Sequence, residues 1–329
     1  MEKVFEEITE NDGSMAFTFG DPEPVLGENF TDALGVFLLD NGKYYSTPVP
    51  LAGLARLRGA NAYHAPIIEF KTNQVLKNII LSDVVLYSEI MPFVTDYNTF
   101  LNAYFQKIKN GFGEVIYLRH LPAINMRRMK EPDKYCMVKT DGTIVEFKKG
   151  EVAHIKNYDV AQTVYGIPSY LGAIQSMLLN EDATMFRRRY YLNGAHVGYI
   201  FYSTAANLSD NDQNAIRDAV KSAKKLGNFR NLFLHIPNAK EKDVQIIPVG
   251  DFSTKDELQK IKNISRDDII AAHRIPPALA SIVPAERSGT YGDISKAAEV
   301  YRENEIAPLQ KQILQINEFL SKSRHISFN

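Results

Sequence analysis

The chain has 329 residues, 45% of them hydrophobic and 23% charged, which supplies a buried core and excludes an intrinsically disordered chain. Lys plus Arg (38) and Asp plus Glu (39) nearly cancel, so no global cationic field gathers nucleic acid, and any contact with a polyanion has to come from local patches. The one cysteine, Cys136, excludes an intrachain disulfide framework, fits a reducing compartment and reads as a small buried hydrophobe.

The opening stretch MEKVFEEITENDG is acidic and lacks the basic-then-apolar order of a secretory signal. The apolar run NIILSDVVLYSEIMPFV is broken by Asp83 and Glu89 well short of the roughly 18 residues of a membrane span, so a soluble chain of cytoplasmic type is expected. Residues 1 to about 50 mix short extended pieces (AFTFG, YYSTPVP) with Gly- and Pro-rich breaks, predicting a peripheral strand-and-loop region. From Pro50 to about Ser82 the spacing of Leu51, Leu54 and Leu57, then Ile67, Ile68, Val75 and Leu76, predicts helices. A further helix is expected over about Met91 to Lys109. The stretches EVIYLRH, KYCMVK and TIVEFK read as strands, the last two joined at Asp141–Gly142, a two-residue hairpin signal.

The segment YGIPSYLGAIQSMLLNEDATMFRRRYYLNG predicts a helix over about 168–193, with Pro168 in its first turn and Gly194 past its end. Leu171, Leu178, Met185 and Leu192 recur at heptad spacing with Ile174 beside them, a narrow apolar seam suited to packing against neighbouring helices. A β-α-β-β unit follows over about 195–252: the strand HVGYIFYS, a helix capped by Ser209, then NLFLHI and VQIIPV. Too small to bury much alone, it should lean on a partner. A second long helix starts near Thr254, where Thr254 and Glu257 have capping-box spacing, and stops before Pro276–Pro277. Ser281 to Asp293 reads as a loop, and a last helix over about 293–321 should kink at Pro308. The fold class is α+β.

The seven histidines never fall in HxxxH or HExxH spacing, so no zinc site is indicated. Gly111–Phe112–Gly113–Glu114 and Gly289–Thr290–Tyr291–Gly292 complete no phosphate-loop pattern, and Gly42–Lys43 precedes Tyr44 where a Walker motif needs Ser or Thr; all three read as turns. There is no GxSxG elbow, and Asp182, Asp267 and Asp268 sit in helical patterns as solvated or ion-paired surface. The stretch FRRRYYLNGAH is the best candidate for binding. Arg187, Arg188 and Arg189 point about 100° apart on a helix, so they cannot serve one face, and Glu181 and Asp182 lie outside i+3 and i+4 pairing with all three. Their partners are then the helix dipole, carboxylates of another subunit, or phosphates.

The stretch YGIPSYLGAIQSMLLNEDATMFRRRYYLNGAHVGYI, with DYNTFLNAYF, EVIYLRHLPA, GEVAHIKNYD and IIAAHRIPPALASI, resembles the portal proteins of tailed bacteriophages, in the branch of temperate phages with contractile tails. The similarity spans about residues 30–320. One departure is Leu101, where that pattern has glycine before Asn102–Ala103–Tyr104. The resemblance implies a non-enzymatic ring without cofactor or metal, normally a dodecamer, at one vertex of the phage head. Double-stranded DNA would be packaged and ejected through it without sequence preference. Implied partners are the terminase large subunit, the major capsid protein and scaffold, and head-completion or neck proteins; the location is the virion, with assembly in the host cytoplasm. Residues 1–166 would be the N-terminal part of the wing, 167–194 a stem helix, 195–252 the clip and 253–275 the second stem helix. Residues 276–329 would hold the tunnel loop, a kinked wing helix and a very short crown. The tunnel loop would include Val283, Pro284, Ala285, Glu286, Arg287, Ser288, Gly289 and Thr290, and Arg187, Arg188 and Arg189 would meet other subunits or DNA. The alternative is a phage nucleic-acid-processing enzyme, motivated by those arginines and by the glycine-rich stretch at 289–292.

Overall fold

The computed structural model describes residues 8–9, 15–16, 38–39, 42–160, 162–192, 199–203, 232–235, 244–248, 255–280 and 293–329. The helix expected from Ser209, the capping box at Thr254 and the loop 281–292 lie outside the described residues. The chain divides into two units: Leu26–Leu178 with Ile264–Asn329, and Met1–Val25 with Leu179–Asn263. Its α-helices are α1 (Leu51–Leu57), α2 (His64–Leu76), α3 (Tyr87–Phe100), α4 (Ile174–Leu192), α5 (Lys255–Ala272), α6 (Ile294–Tyr301) and α7 (Ala307–Ile313).

In the first unit, α3 buries Ile90, Phe93, Val94 and Tyr97, the i, i+3, i+4, i+7 stripe of a helix lying on a sheet. That sheet is antiparallel, with Asn102–Lys109 in the centre between Val115–Leu121 and Val152–Lys156, and Phe93 stacks on Phe105 at 4.1 Å. The central strand corrects a sequence expectation. The helix predicted over about Met91 to Lys109 ends at Phe100, because Leu101 turns left-handed at φ 49°. The next eight residues then pair on both edges, and that pairing overrides a local pattern compatible with helix. The predicted hairpin at Asp141–Gly142 is present: Tyr135–Val138 pairs with Ile144–Glu146, and Gly142 takes φ 82°. Cys136 is buried in that sheet. The final residues return to this unit, Ser327–Phe328 pairing with Ile79–Ile80.

The helix predicted over about 293–321 is built in pieces. α6 is followed by a π turn, Arg302–Ile306, then by α7 and a 3-10 segment, Leu314–Phe319. Pro308 explains the π turn. It has no N–H for the Asn304 carbonyl, and its ring would strike that carbonyl in a regular helix. The turn widens instead, and the Ala307 N–H bonds Arg302 O, an i to i+5 bond.

In the second unit, Tyr199–Ser203 lies between Leu232–His235, to which it is parallel, and Val244–Pro248, to which it is antiparallel. A parallel pair needs a crossover connection, as the β-α-β-β reading requires. Ile8–Thr9 pairs with Met15–Ala16.

Candidate functional site: the helix root and the cationic helix end

The root of the first long helix is a buried polar junction. The Asn102 side chain donates through Nδ2 to Phe100 O and to Gly166 O, both at 2.8 Å. Its Oδ1 accepts from Gly166 N at 2.8 Å and lies 3.0 Å from His154 Nε2. With both amide protons used, Oδ1 can only accept, which fixes His154 as the Nε2–H tautomer. Its Nδ1 lies 3.4 Å from the Tyr135 hydroxyl, and its ring stacks on Tyr104. Burial holds the His154 pKa well below the usual value, so the ring stays neutral. The Leu101 carbonyl accepts from Asn157 N, and a Cβ on Gly166 would stand 2.1 Å from that same oxygen. Only glycine fits there. Leu101, where the portal pattern expects glycine, is the left-handed residue of this junction.

A second buried cluster ties α2 to the residues after α5. His64 Nδ1 and His273 Nε2 are 2.8 Å apart, and Tyr170 packs edge-on against His64 and parallel to His273. Burial lowers His64 to about 4, with Arg58 adding to the shift. Burial lowers His273 to about 3, with His64 and Lys71 adding. α5 ends as Pro276 predicts: Arg274 is left-handed at φ 54°, and Ile275 N bonds Ile270 O. Lys71 donates to His273 O and pairs with Glu305 at 3.6 Å.

The burial of α4 differs from the heptad reading. Ile174, Met177, Asn180 and Ala183 are buried, whereas Leu171 and Leu178 are half-buried and Met185 is exposed. Small and polar residues mark the inward face because α5 comes close: Asn180 Nδ2 donates to Lys262 O, and Lys262 Nζ donates to Thr184 Oγ1. Of the seam, Leu171 and Leu178 pack partly against the core and Met185 is exposed. On α5, Ile264 is 64% exposed despite its place in the predicted apolar pattern.

Arg187 and Arg188 are exposed on α4; Arg189 belongs to the same helix, and its side chain lies outside the described residues. Burial lowers the Lys262 pKa, and the charge of Arg187 adds to the shift. Val283 to Thr290, the predicted tunnel-loop residues, lie outside the described residues. Asp268 accepts from Ser176, and Asp267 pairs with Arg266 at an exposed site, in line with the reading of both as ordinary helix polar groups. Among the described residues no His, Cys, Asp and Glu cluster could hold a metal, and no helix is long and apolar enough to cross a membrane. Asn102, Gly166, His154 and the His64–His273 pair escaped sequence reasoning. The available signal was Gly166 just before Ile167–Pro168, which read as a helix start rather than as a close backbone contact.

A helix-on-sheet body continuing into two long helices is a portal-type α+β fold. It matches a chain of "Virion of native gene transfer agent (GTA) particle" with TM-score 0.61 and 16% identity, covering 85% of this chain and 83% of that one. It also matches "Neck of native GTA particle computed with C12 symmetry" with TM-score 0.59 and 14% identity, covering 85% and 83%. The crystal structure of an HK97 family phage portal protein from Corynebacterium diphtheriae gives TM-score 0.55 and 12% identity, covering 85% and 92%. At the sequence level the Phage portal protein family model matches residues 90–329. The "Probable portal protein" of Escherichia phage P2 is 40% identical over 308 residues, 93% of this chain and 89% of the relative. That of Haemophilus phage HP1 (strain HP1c1) is 38% identical over 287 residues, 86% and 83%. The chain belongs to the phage portal protein family.

Proposed function

We propose that copies of this chain assemble into a ring, normally of twelve, that forms the channel at one vertex of a phage head, through which double-stranded DNA is packaged and ejected. The family match carries this reading, because it takes in both long helices. The exposed apolar side chains Leu179, Met185, Ile261 and Ile264 on α4 and α5 support it, since a second copy would remove them from water. In this reading residues 167–194 and 253–275 are the stem, 195–252 the clip that docks the terminase and later the neck proteins, and 1–166 with the final helix the wing. The near-neutral charge suits a channel that lets DNA slide. The chain performs no catalytic step; the packaging ATPase is a separate subunit.

Electron microscopy of the purified full chain tests this directly. Ring views with an open bore are expected, and monomers at every salt and protein concentration would oppose the reading. Deleting Pro284 to Thr290 should leave the ring intact while impairing packaging or retention of DNA. Loss of the ring in that variant would make the segment structural rather than a channel element.

A further inference from the structure

The π turn Arg302–Ile306 holds one residue more than a regular helix would need, and the residues around it are tied in an uneven way. Glu305, within the turn, is the shared anchor. Its carboxylate pairs with Lys71 of α2 at 3.6 Å and with Arg274, the left-handed residue after α5, at 3.5 Å. Lys71 and Glu305 are mostly shielded from solvent, 14% and 19% exposed, so their pair is weakly screened. Arg274 is 67% exposed and adds less. One turn earlier, the Tyr301 hydroxyl is buried beside Phe70 with no hydrogen-bond partner among the described residues. An unsatisfied buried hydroxyl costs stability in this arrangement. Tyr301 and Glu305 are four residues apart, the spacing at which side chains meet on a regular α-helix.

We propose that the π turn is a stored one-residue register shift: Pro308 favours the wide turn, Glu305 holds it open through Lys71 and Arg274, and releasing those pairs lets 302–306 close into an α-helix kinked at Pro308. On closure α6 turns by about 100° and moves about 1.5 Å relative to α7, and Glu305 becomes the acceptor for the Tyr301 hydroxyl. The two states differ in which donor Glu305 serves, which is what makes the element bistable rather than merely bent. The inference concerns the single chain and does not depend on ring formation.

Cysteine accessibility of the full chain reads the register, because Cys136 is buried and gives little background. Probe cysteines are placed on α6 at half-buried Ala298 and at exposed Val300, as Ala298→Cys and Val300→Cys. Deleting Asn304, an exposed residue of the turn, removes the extra residue while leaving α6 and α7 in their present register, and so supplies the open-register reference pattern. Glu305→Gln should depart from that pattern, with thiol labelling at the two positions changing in opposite directions by about tenfold, the factor that matches about 1.4 kcal/mol. A folded Glu305→Gln chain that labels like the parent would overturn the proposal. So would conversion by Pro308→Ala with no conversion by Glu305→Gln, which assigns the turn to the proline alone. Collapse of the fold on deleting Asn304 would also overturn it, since the turn would then hold no residue that a regular helix can spare.

Discussion

The helix that runs through 174–192 begins beside a buried junction and ends in exposed cations, and the contrast separates two kinds of specification. At the Asn102–Gly166–His154 junction every polar atom of the Asn102 side chain has a partner inside the same chain, and a single Cβ has nowhere to go. At the other end Arg187 and Arg188 are exposed, and Met185 and Ile264 are exposed apolar side chains. The junction is satisfied by groups of its own chain, whereas among the described residues the helix end presents charge and apolar surface to solvent. Packing and hydrogen bonds therefore define the body.

The largest effect should come from Gly166→Ala, which drives a methyl group into the Leu101 carbonyl. A stability loss of about 4 kcal/mol or more is expected by urea unfolding. An ordinary loss below about 1 kcal/mol would mean that the junction yields and is not the fixed point described here.

Acid should act next. His64 and His273 bind protons less readily when folded than the ordinary value near 6.5, so the unfolded chain takes up protons first as pH falls. Stability from this pair is fully present above about pH 6.5 and declines as pH falls from there toward about 4 and 3, with a drop on the order of 3 kcal/mol between pH 7 and pH 5. Replacing both residues, by His64→Asn with His273→Gln, should flatten that dependence. Unfolding midpoints measured at the two pH values decide it, and an unchanged slope would show that the pair is not the titrating element.

Leu101→Gly should be small and stabilising, about 0.5 to 1 kcal/mol, because glycine tolerates φ 49° without the clash a side chain brings. A clear loss would show that the packing of the leucine outweighs its backbone strain. Smallest of all on the single chain is Ile264→Asp, expected within about 0.5 kcal/mol because the side chain is already solvated. If the proposed ring uses α5, the same change should abolish rings in electron micrographs, and unaffected rings would remove α5 from the interface.

The sequence was most readable where a local signal and the tertiary contacts agree. The hairpin at Asp141–Gly142 and the stop before Pro276 formed at their predicted places, because turn chemistry and proline act within a few residues, whereas the helix predicted from Pro168 opens as a 3-10 segment, Ser169–Ala173, and becomes α-helical only at Ile174. Asn102–Lys109 was misread as helix, since its two flanking strands come from residues 115–121 and 152–156 and no local pattern announces them. The left-handed turn that separates it from α3 sits on Leu101, a residue that does not advertise such a turn, and the portal resemblance supplied the hint by expecting glycine there. Pro308 pointed to an irregularity, but not to the pairs that Glu305 of the π turn makes with Lys71 and Arg274, each more than thirty residues away in the chain. The arginine run was legible as three cations on one helix, and the described structure adds that Arg187 and Arg188 are exposed there.

The turn at Asn110–Glu114 has a practical use. Asn110 accepts from the backbone N–H groups of Phe112 and Glu114, and this fixed loop holds Phe112 94% exposed. The chain contains no tryptophan. Phe112→Trp would therefore install a single tryptophan, excited selectively above the tyrosine band, with emission characteristic of full solvation in the isolated chain. Any protein that settles on this corner would announce itself as a blue shift, and the same signal could time each step of assembly in solution.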